Sequence, residues 1–254
     1  MNDVPKSAAA VLIIGDEILS GRTQDVNLAA IARFLAPFGI DVAEARVVPD
    51  IQDEIVAAVN ALRKRYCYVF TTGGIGPTHD DITADAIGAA VGLPVEHNET
   101  AMAMLAARYP PGEFNEKRQR MARMPKGAIL IRNSISVAPG FQIGNVFVLA
   151  GVPKIMEAML EDLRPRLQAG APVISRSVKT SLPEGRIAAA LEAIQQRHPD
   201  LRIGSYPFFV PSGPEASAGT TLVIRGRNGQ EVEAAATEVA EMAASFGGRG
   251  VLSD

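Results

Sequence analysis

Thr71-Thr72-Gly73-Gly74-Ile75-Gly76-Pro77-Thr78-His79-Asp80-Asp81 joins glycines, hydroxyls and carboxylates in one short stretch, the chemistry of an anion site. Gly73, Gly74 and Gly76 let backbone amides approach an anion at a helix N-terminus, while Thr71 and Thr72 offer hydroxyls. No Gly-Lys-Ser/Thr follows, and the spacing is not Gly-x-Gly-x-x-Gly. The loop is therefore neither a Walker A loop nor a dinucleotide fingerprint. Asp80, Asp81 and Asp85 would repel a phosphate unless a cation stood between. Mg²⁺ held by Asp80 and Asp81, with phosphate oxygens and water, would resolve that conflict. Thr78-x-x-Asp81 also reads as an N-cap with its capping box, and Asp85 as a solvated helix residue.

Weaker signals lie elsewhere. Gly15-Asp16-Glu17 places a carboxylate pair after an apolar run, where it could meet a polar ring or a metal. Asp50, with Asp53 beyond it, reads first as a cap and capping box. Asn115, Arg118, Gln119 and Arg123 could meet a phosphate or base from above, although a solvated helix face is the default reading. His79 sits in the glycine loop, whereas His97 and His198 have no neighbouring partner in the sequence. The single Cys67 lies in an apolar run and is expected to be inert core. His-Glu-x-x-His and Gly-x-Ser-x-Gly are absent, so zinc-protease and serine-hydrolase readings lack support.

These loops need elements to hold them. Val11–Ile14, Val42–Val48 and Tyr68–Thr72 read as buried strands, and Asn27–Leu35, Asp50–Leu62 and Asp80–Val91 as helices with one apolar face. Gly39 closes the first helix. Residues 100–124 are helix-rich and polar, a flap beside the site. Ala128–Ile131 and Val146–Ala150 are again strand-like, and Gly151-Val152-Pro153 opens a helix. Alternating strands and helices imply a mostly parallel sheet with helices on both faces, and ligands at the strands' carboxyl ends. Gln168–Pro172 reads as a linker between residues 1–168 and residues 173–254. The second segment runs β-α-β-β-α, closed by Val251-Leu252, which suggests a small α+β ferredoxin-like domain without obvious chemistry.

With 25 Lys and Arg against 28 Asp and Glu, net charge −3, the chain is no electrostatic magnet for nucleic acid. Its apolar runs are too short to span a membrane and no signal peptide frames the N-terminus, so a cytoplasmic protein is expected.

Several motifs fall in order along the chain. They are Gly15-Asp16-Glu17-Ile18-Leu19-x-Gly21 with Asn27, Pro49-Asp50, Thr72–Thr83, Ala138-Pro139-Gly140-Phe141 and Gly151-Val152-Pro153. Together they resemble the molybdopterin-binding (MoCF) superfamily, and within it the N-terminal domain of the competence/damage-inducible protein A (CinA) family, over roughly residues 9–168. The resemblance implies that Asp16 and Glu17 line the ligand pocket with Gly15, Pro139 and Gly140. It further implies that Gly73 to Thr78 bind phosphate, and that Asp50 and Asp81 match two acidic positions implicated in molybdopterin chemistry. CinA-type domains are associated with divalent-metal-dependent hydrolysis of ADP-ribose-type pyrophosphates, and a related domain accompanies eukaryotic FAD synthases. The expected ligand is thus a pterin or adenine nucleotide, and the leading reaction is pyrophosphate hydrolysis with Mg²⁺. Molybdopterin adenylyl transfer and non-catalytic ligand binding are the alternatives. The superfamily commonly oligomerises, so a homodimer is expected, with Met102, Met104 and Met121 as interface or core. The family's amidohydrolase domain has no counterpart in this sequence, which resembles a standalone form, so nicotinamide mononucleotide deamidation is not carried over. Ala150 stands where the family usually has proline, and Ser136-Val137 where it has Gly-Thr. Both departures bear on the substrate rather than the fold.

Overall fold

Every residue of β1 (Ala8–Ile14) is buried, which is why the strand is apolar on both faces rather than alternating. The computed structural model describes residues 8–110, 112–168, 170–210 and 217–253. They divide into two compact units, Met1–Gly170 and Ala171–Asp254.

In the first unit, β1 is followed by a one-turn helix α1 (Asp16–Leu19), α2 (Asn27–Leu35), β2 (Asp41–Val48), α3 (Gln52–Arg65), β3 (Tyr68–Thr72) and α4 (Thr83–Val91). Then come β4 (Val95–His97), α5 (Glu99–Arg108), α6 (Glu116–Gln119), β5 (Arg123–Pro125), β6 (Ile129–Ile131), β7 (Gly140–Ile143), β8 (Val146–Leu149) and α7 (Pro153–Leu163). The main sheet has the order β2-β1-β3-β8-β7-β6, parallel through its first four strands and antiparallel at the β7 and β6 edge. β4 and β5 form a separate antiparallel pair.

The sheet is covered on both sides. Ala8, Ala10, Leu12 and Ile14 pack with Ile55, Val59 and Leu62 of α3 and Ile87 of α4. Ala9, Val11 and Ile13 face the other way, toward Ile31 and Leu35 of α2 and Met156, Leu160 and Leu163 of α7. Each fully buried large aliphatic side chain contributes roughly 1.5–3 kcal/mol. The alternation along β1 therefore fixes its register. Helix α2 ends as the glycine implies: a 3₁₀ turn, Ala36–Phe38, leads to Gly39 in the left-handed region.

The second unit holds β9 (Ile174–Thr180), α8 (Glu184–Arg197), β10 (Arg202–Val210), β11 (Ser217–Gly226), α9 (Gly229–Ser245) and β12 (Val251–Ser253). Its sheet is antiparallel, in the order β10-β11-β9-β12, the ferredoxin-like arrangement. Val178, Leu222 and Ile224 meet Ile187, Ile194, Val232 and Val239 in a core of its own. Among the described residues no helix is long and apolar enough to cross a membrane.

Several local expectations are corrected. Cys67 is exposed one residue before β3, not buried within it. Helix α4 starts at Thr83, and Ile82 rather than Thr78 precedes it. Asp50 does not cap α3, which begins at Gln52 after Ile51 without a side-chain cap. His198 is paired after all: its ring lies 3.0 Å from Glu238 and 3.6 Å from Glu231, residues contributed by α9.

Candidate functional site

The loops after β1, β2, β3 and β8 meet at the carboxyl ends of the parallel strands. The order β2-β1-β3 reverses direction between β1 and β3, and the crevice outside such a switch point is where open sheets bind ligands.

The loop after β3 is built for close approach. Gly73 has φ 104°, and a Cβ there would stand 2.1 Å from the Ile14 carbonyl oxygen. Gly74, at φ 66°, passes the Thr83 hydroxyl, which a Cβ would meet at 2.2 Å. Only glycine suits these two positions. The Thr83 hydroxyl donates to the Gly73 carbonyl at 3.0 Å, and the Thr83 amide to the Gly74 carbonyl at 3.0 Å. Thr83 thus pins both ends of the glycine pair to the start of α4. The Gly73 amide is spent on the Leu149 carbonyl. The amides of Gly74, Ile75 and Gly76 donate to no protein acceptor among the described residues. They stand at the wall of a cleft of ≈ 520 Å³ together with Glu17, Pro77, Asp81, Ser136 and Val152. That volume suits a small-molecule or cofactor ligand.

Asp81 belongs to this loop. Its carboxylate accepts from the Thr78 amide at 2.7 Å and from the Thr78 hydroxyl, so the capping-box bonding exists, but ahead of the helix. Asp80 is exposed, and the neighbouring Thr78 side chain, followed by its own backbone amide, holds its carboxyl below the usual range.

Asp50 belongs to a different group. Its carboxylate accepts from the Asp16 amide at 2.9 Å, across 34 positions of sequence. Desolvation pushes its pKa up; the Asp16 amide opposes this, and the charges of Asp16, Glu17 and Asp80 push it further up. The structure therefore brings Asp16, Glu17, Asp50 and Asp80 together and leaves Asp81 with Thr78. Glu17 connects the acidic group to the cleft it lines. Among the described residues no three His, Cys, Asp or Glu side chains lie close enough to form a closed metal cage. A hard cation carried by one or two carboxylates and completed by phosphate oxygens still fits this donor set, because Mg²⁺ is commonly bound in that way.

The remaining expected site residues divide. Gly15 is buried with its amide on the Val48 carbonyl, and Glu17 folds over it so closely that a Cβ would meet the carboxylate at 2.5 Å. Thr71 is fully buried and Thr72 nearly so. Thr72 lines a side pocket of ≈ 60 Å³ with Glu17, Asp25 and Asn27. Pro139 lies under the glycine loop, while Gly140 is buried where β7 passes β8: a Cβ would stand 2.3 Å from the Val148 carbonyl oxygen. Thr71 and Gly140 thus sit in the interior rather than on the cleft wall. In the helical insert, Asn115 caps α6, Arg118 pairs with Glu113, Gln119 donates to the Phe114 carbonyl and Arg123 pairs with Asp85.

Three residues take roles that the sequence reading did not assign to them. Asn27, buried in the first turn of α2, donates to the Gly151 carbonyl at 2.8 Å and fixes Gly151 against Gly73. Val137 holds φ 66°, an outlier for a β-branched residue, in a turn knotted around Asn133. Arg120 lines the floor of the glycine loop. The buried side-chain polar atoms without a partner among the described residues are Asn27 Oδ1, Thr71 Oγ1 and Arg120 Nε, all at or beside this loop. Unsatisfied groups gathered in one place mark a functional site more than a packing defect. Asn27 already stood in the ordered motif set and Val137 among the departures from it; Arg120 carries no local signal.

Residues 10–169 match the family described as a probable molybdopterin binding domain. The chain belongs to this family. Residues 172–246 match the FAD synthase middle domain. A protein of Pyrobaculum arsenaticum is 37% identical over 213 residues, covering 80% of each chain. One of Sulfurisphaera tokodaii is 37% identical over 210 residues, 78% of this chain and 80% of its own. The crystal structure of the protein CinA, of unknown function, from Thermoplasma acidophilum aligns with TM-score 0.60 at 35% identity, over 63% of this chain and 98% of that one. The protein is a CinA-like member of the molybdopterin-binding superfamily, as the ordered motifs imply.

Proposed function

We propose that the cleft binds a phosphate-bearing pterin or adenine nucleotide and hydrolyses a pyrophosphate bond of the ADP-ribose or FAD type. The observation that carries this reading is the row of undonated amides at Gly74, Ile75 and Gly76, set in a ligand-sized cleft beside the acidic group around Asp50. The matches to a molybdopterin-binding domain and to the FAD synthase middle domain support the ligand class.

In this reading the amides donate to the ligand's phosphate oxygens and fix the phosphorus in place. Asp50, more basic than an ordinary aspartate, takes a proton from the attacking water as the new P–O bond forms and the bridging P–O bond breaks. Asp80 and Asp81 are the residues that would hold Mg²⁺, whose chemistry there is to neutralise phosphate charge and make bound water more acidic. Thr78 keeps the Asp81 carboxylate in place beside Gly76. The test incubates the purified protein with Mg²⁺, Mn²⁺ or Co²⁺ and ADP-ribose or FAD, separating the nucleotide products by chromatography. Cleavage should fall about 100-fold in Asp50→Asn, within the range general-base loss produces. If the wild-type protein leaves every dinucleotide intact, the hydrolase reading is lost. The molybdopterin-binding match favours a second reading, adenylyl transfer from ATP to molybdopterin, and AMP-linked pterin is its product to look for.

A further inference from the structure

This inference rests on reading the glycine loop as a phosphate site. Arg118, Arg120 and Arg123 lie close in sequence on the insert beside that loop. Arg118 donates to Glu113 at 3.0 Å and lies over the Tyr109 ring. Arg123 holds both oxygens of Asp85, at 2.7 and 3.0 Å. Arg120 differs: among the described residues no carboxylate comes within ion-pair distance of it. Its Nε is buried without a partner, and its Nη2 reaches only the Asp81 carbonyl, at a long 3.4 Å.

A guanidinium carries five donors in a rigid fork and stays charged at any working pH, so an arginine left this poorly matched beside undonated amides lacks an anion. Arg120 lines a space of ≈ 10 Å³ with Gly74, Ile75, Gly76 and Asp81. That space admits about one water and no phosphate. The same four residues, with Met121, also line the large cleft, so the guanidinium and the cleft meet across one thin loop. We propose that Arg120 is the cation that takes up the charge of the ligand's phosphate: the amides of Gly74, Ile75 and Gly76 orient the phosphate, and the guanidinium gives up its weak hold on the Asp81 carbonyl to neutralise it. Arg118 and Arg123, already spent on carboxylates, have no such role.

The test is calorimetric titration of the full chain with inorganic pyrophosphate, AMP and adenosine, for the wild type, Arg120→Ala and Arg120→Lys, with a thermal melt of each. Arg120→Ala should weaken pyrophosphate and AMP at least tenfold, leave adenosine and the melting temperature unchanged, and flatten the salt dependence of pyrophosphate binding. Arg120→Lys should recover part of the loss, since it returns the charge but not the fork. Tight pyrophosphate binding by the wild type that Arg120→Ala leaves intact would overturn the role of Arg120 while sparing the loop. No pyrophosphate binding by the wild type would overturn the phosphate reading itself, and this inference with it. An early melt with equal loss of AMP and adenosine in both variants would assign Arg120 to structure instead.

Discussion

Asp50 sits where two local rules compete. By sequence it is a cap for the helix that follows; in the fold its carboxylate turns to the Asp16 amide and into the company of Asp16, Glu17 and Asp80. A carboxyl whose folded pKa is raised binds its proton more tightly in the folded state than in the unfolded one. Its contribution to stability is then complete below the unfolded pKa and is lost as pH rises through the folded value. Asp50→Asn keeps an oxygen to accept from Asp16 and removes the charge. The variant should therefore melt at higher temperature than wild type at pH 7, with the gain vanishing by about pH 3, below the ordinary aspartate pKa of about 3.9. Equal melting temperatures across that range would deny that Asp50 is crowded by its neighbours. Val137 is a second residue held against its preference. Its φ of 66° costs a branched side chain of order 1–3 kcal/mol. Val137→Gly should relieve most of that, stabilising the protein by about 1 kcal/mol in urea titration. A loss of ligand affinity in the same variant would indicate that the strain serves the cleft that Ser136 and Ala138 line.

Between elements, the decisive contact is the one where the loop after β3 crosses the end of β1. Gly73→Ala would drive a methyl group into the Ile14 carbonyl while demanding a left-handed alanine. Gly92→Ala demands the same left-handed backbone, at φ 71°, but meets nothing within 4 Å. Left-handed geometry alone costs about 1–2 kcal/mol. Gly92→Ala should thus lose roughly that much, and Gly73→Ala clearly more, together with ligand binding. Equal losses would show that the close crossing of β1 and the glycine loop carries no weight. The comparison also explains what the sequence makes legible. Glycine runs, apolar strands and helical spacing are local signals, and they locate the parallel sheet, the glycine loop and the ferredoxin-like order. Asp50 meets Asp16, and His198 meets Glu231 and Glu238, only through tertiary packing, so a local reading makes the first a cap and leaves the second alone. Strand β7, four residues long and paired antiparallel with β8 and the edge strand β6, has too little pattern to declare itself. Arg120 is indistinguishable in sequence from Arg118 and Arg123 because pairing with Glu113 or Asp85 separates them only in space. Gly15, Asp50, the glycine loop and Gly151 converge for the opposite reason: each follows a parallel strand, and parallel strands deliver their carboxyl ends to one edge.

The two units differ in what they contain. The glycine loop, the acidic group and the cleft are drawn wholly from residues before 170, whereas the second unit has a closed core of Val178, Leu222, Ile224, Val232 and Val239 and an uninterrupted four-stranded sheet. A unit with its own core and its own sheet can unfold on its own account. Leu222 is fully buried in the central strand β11, so Leu222→Ala removes apolar contacts and leaves a cavity, at about 2–5 kcal/mol. Calorimetry should then show the transition of residues 171–254 shifted downward, with the transition of the first unit in place. For a domain of this size each kcal/mol moves the midpoint by about 4–8 °C, so the two transitions should separate clearly. Pyrophosphate affinity at 20 °C should match the wild type, because among the described residues none beyond residue 170 lines the cleft. A single transition that shifts as a whole would mean that the units fold as one cooperative body, and weakened pyrophosphate binding would mean that the second unit supports the site.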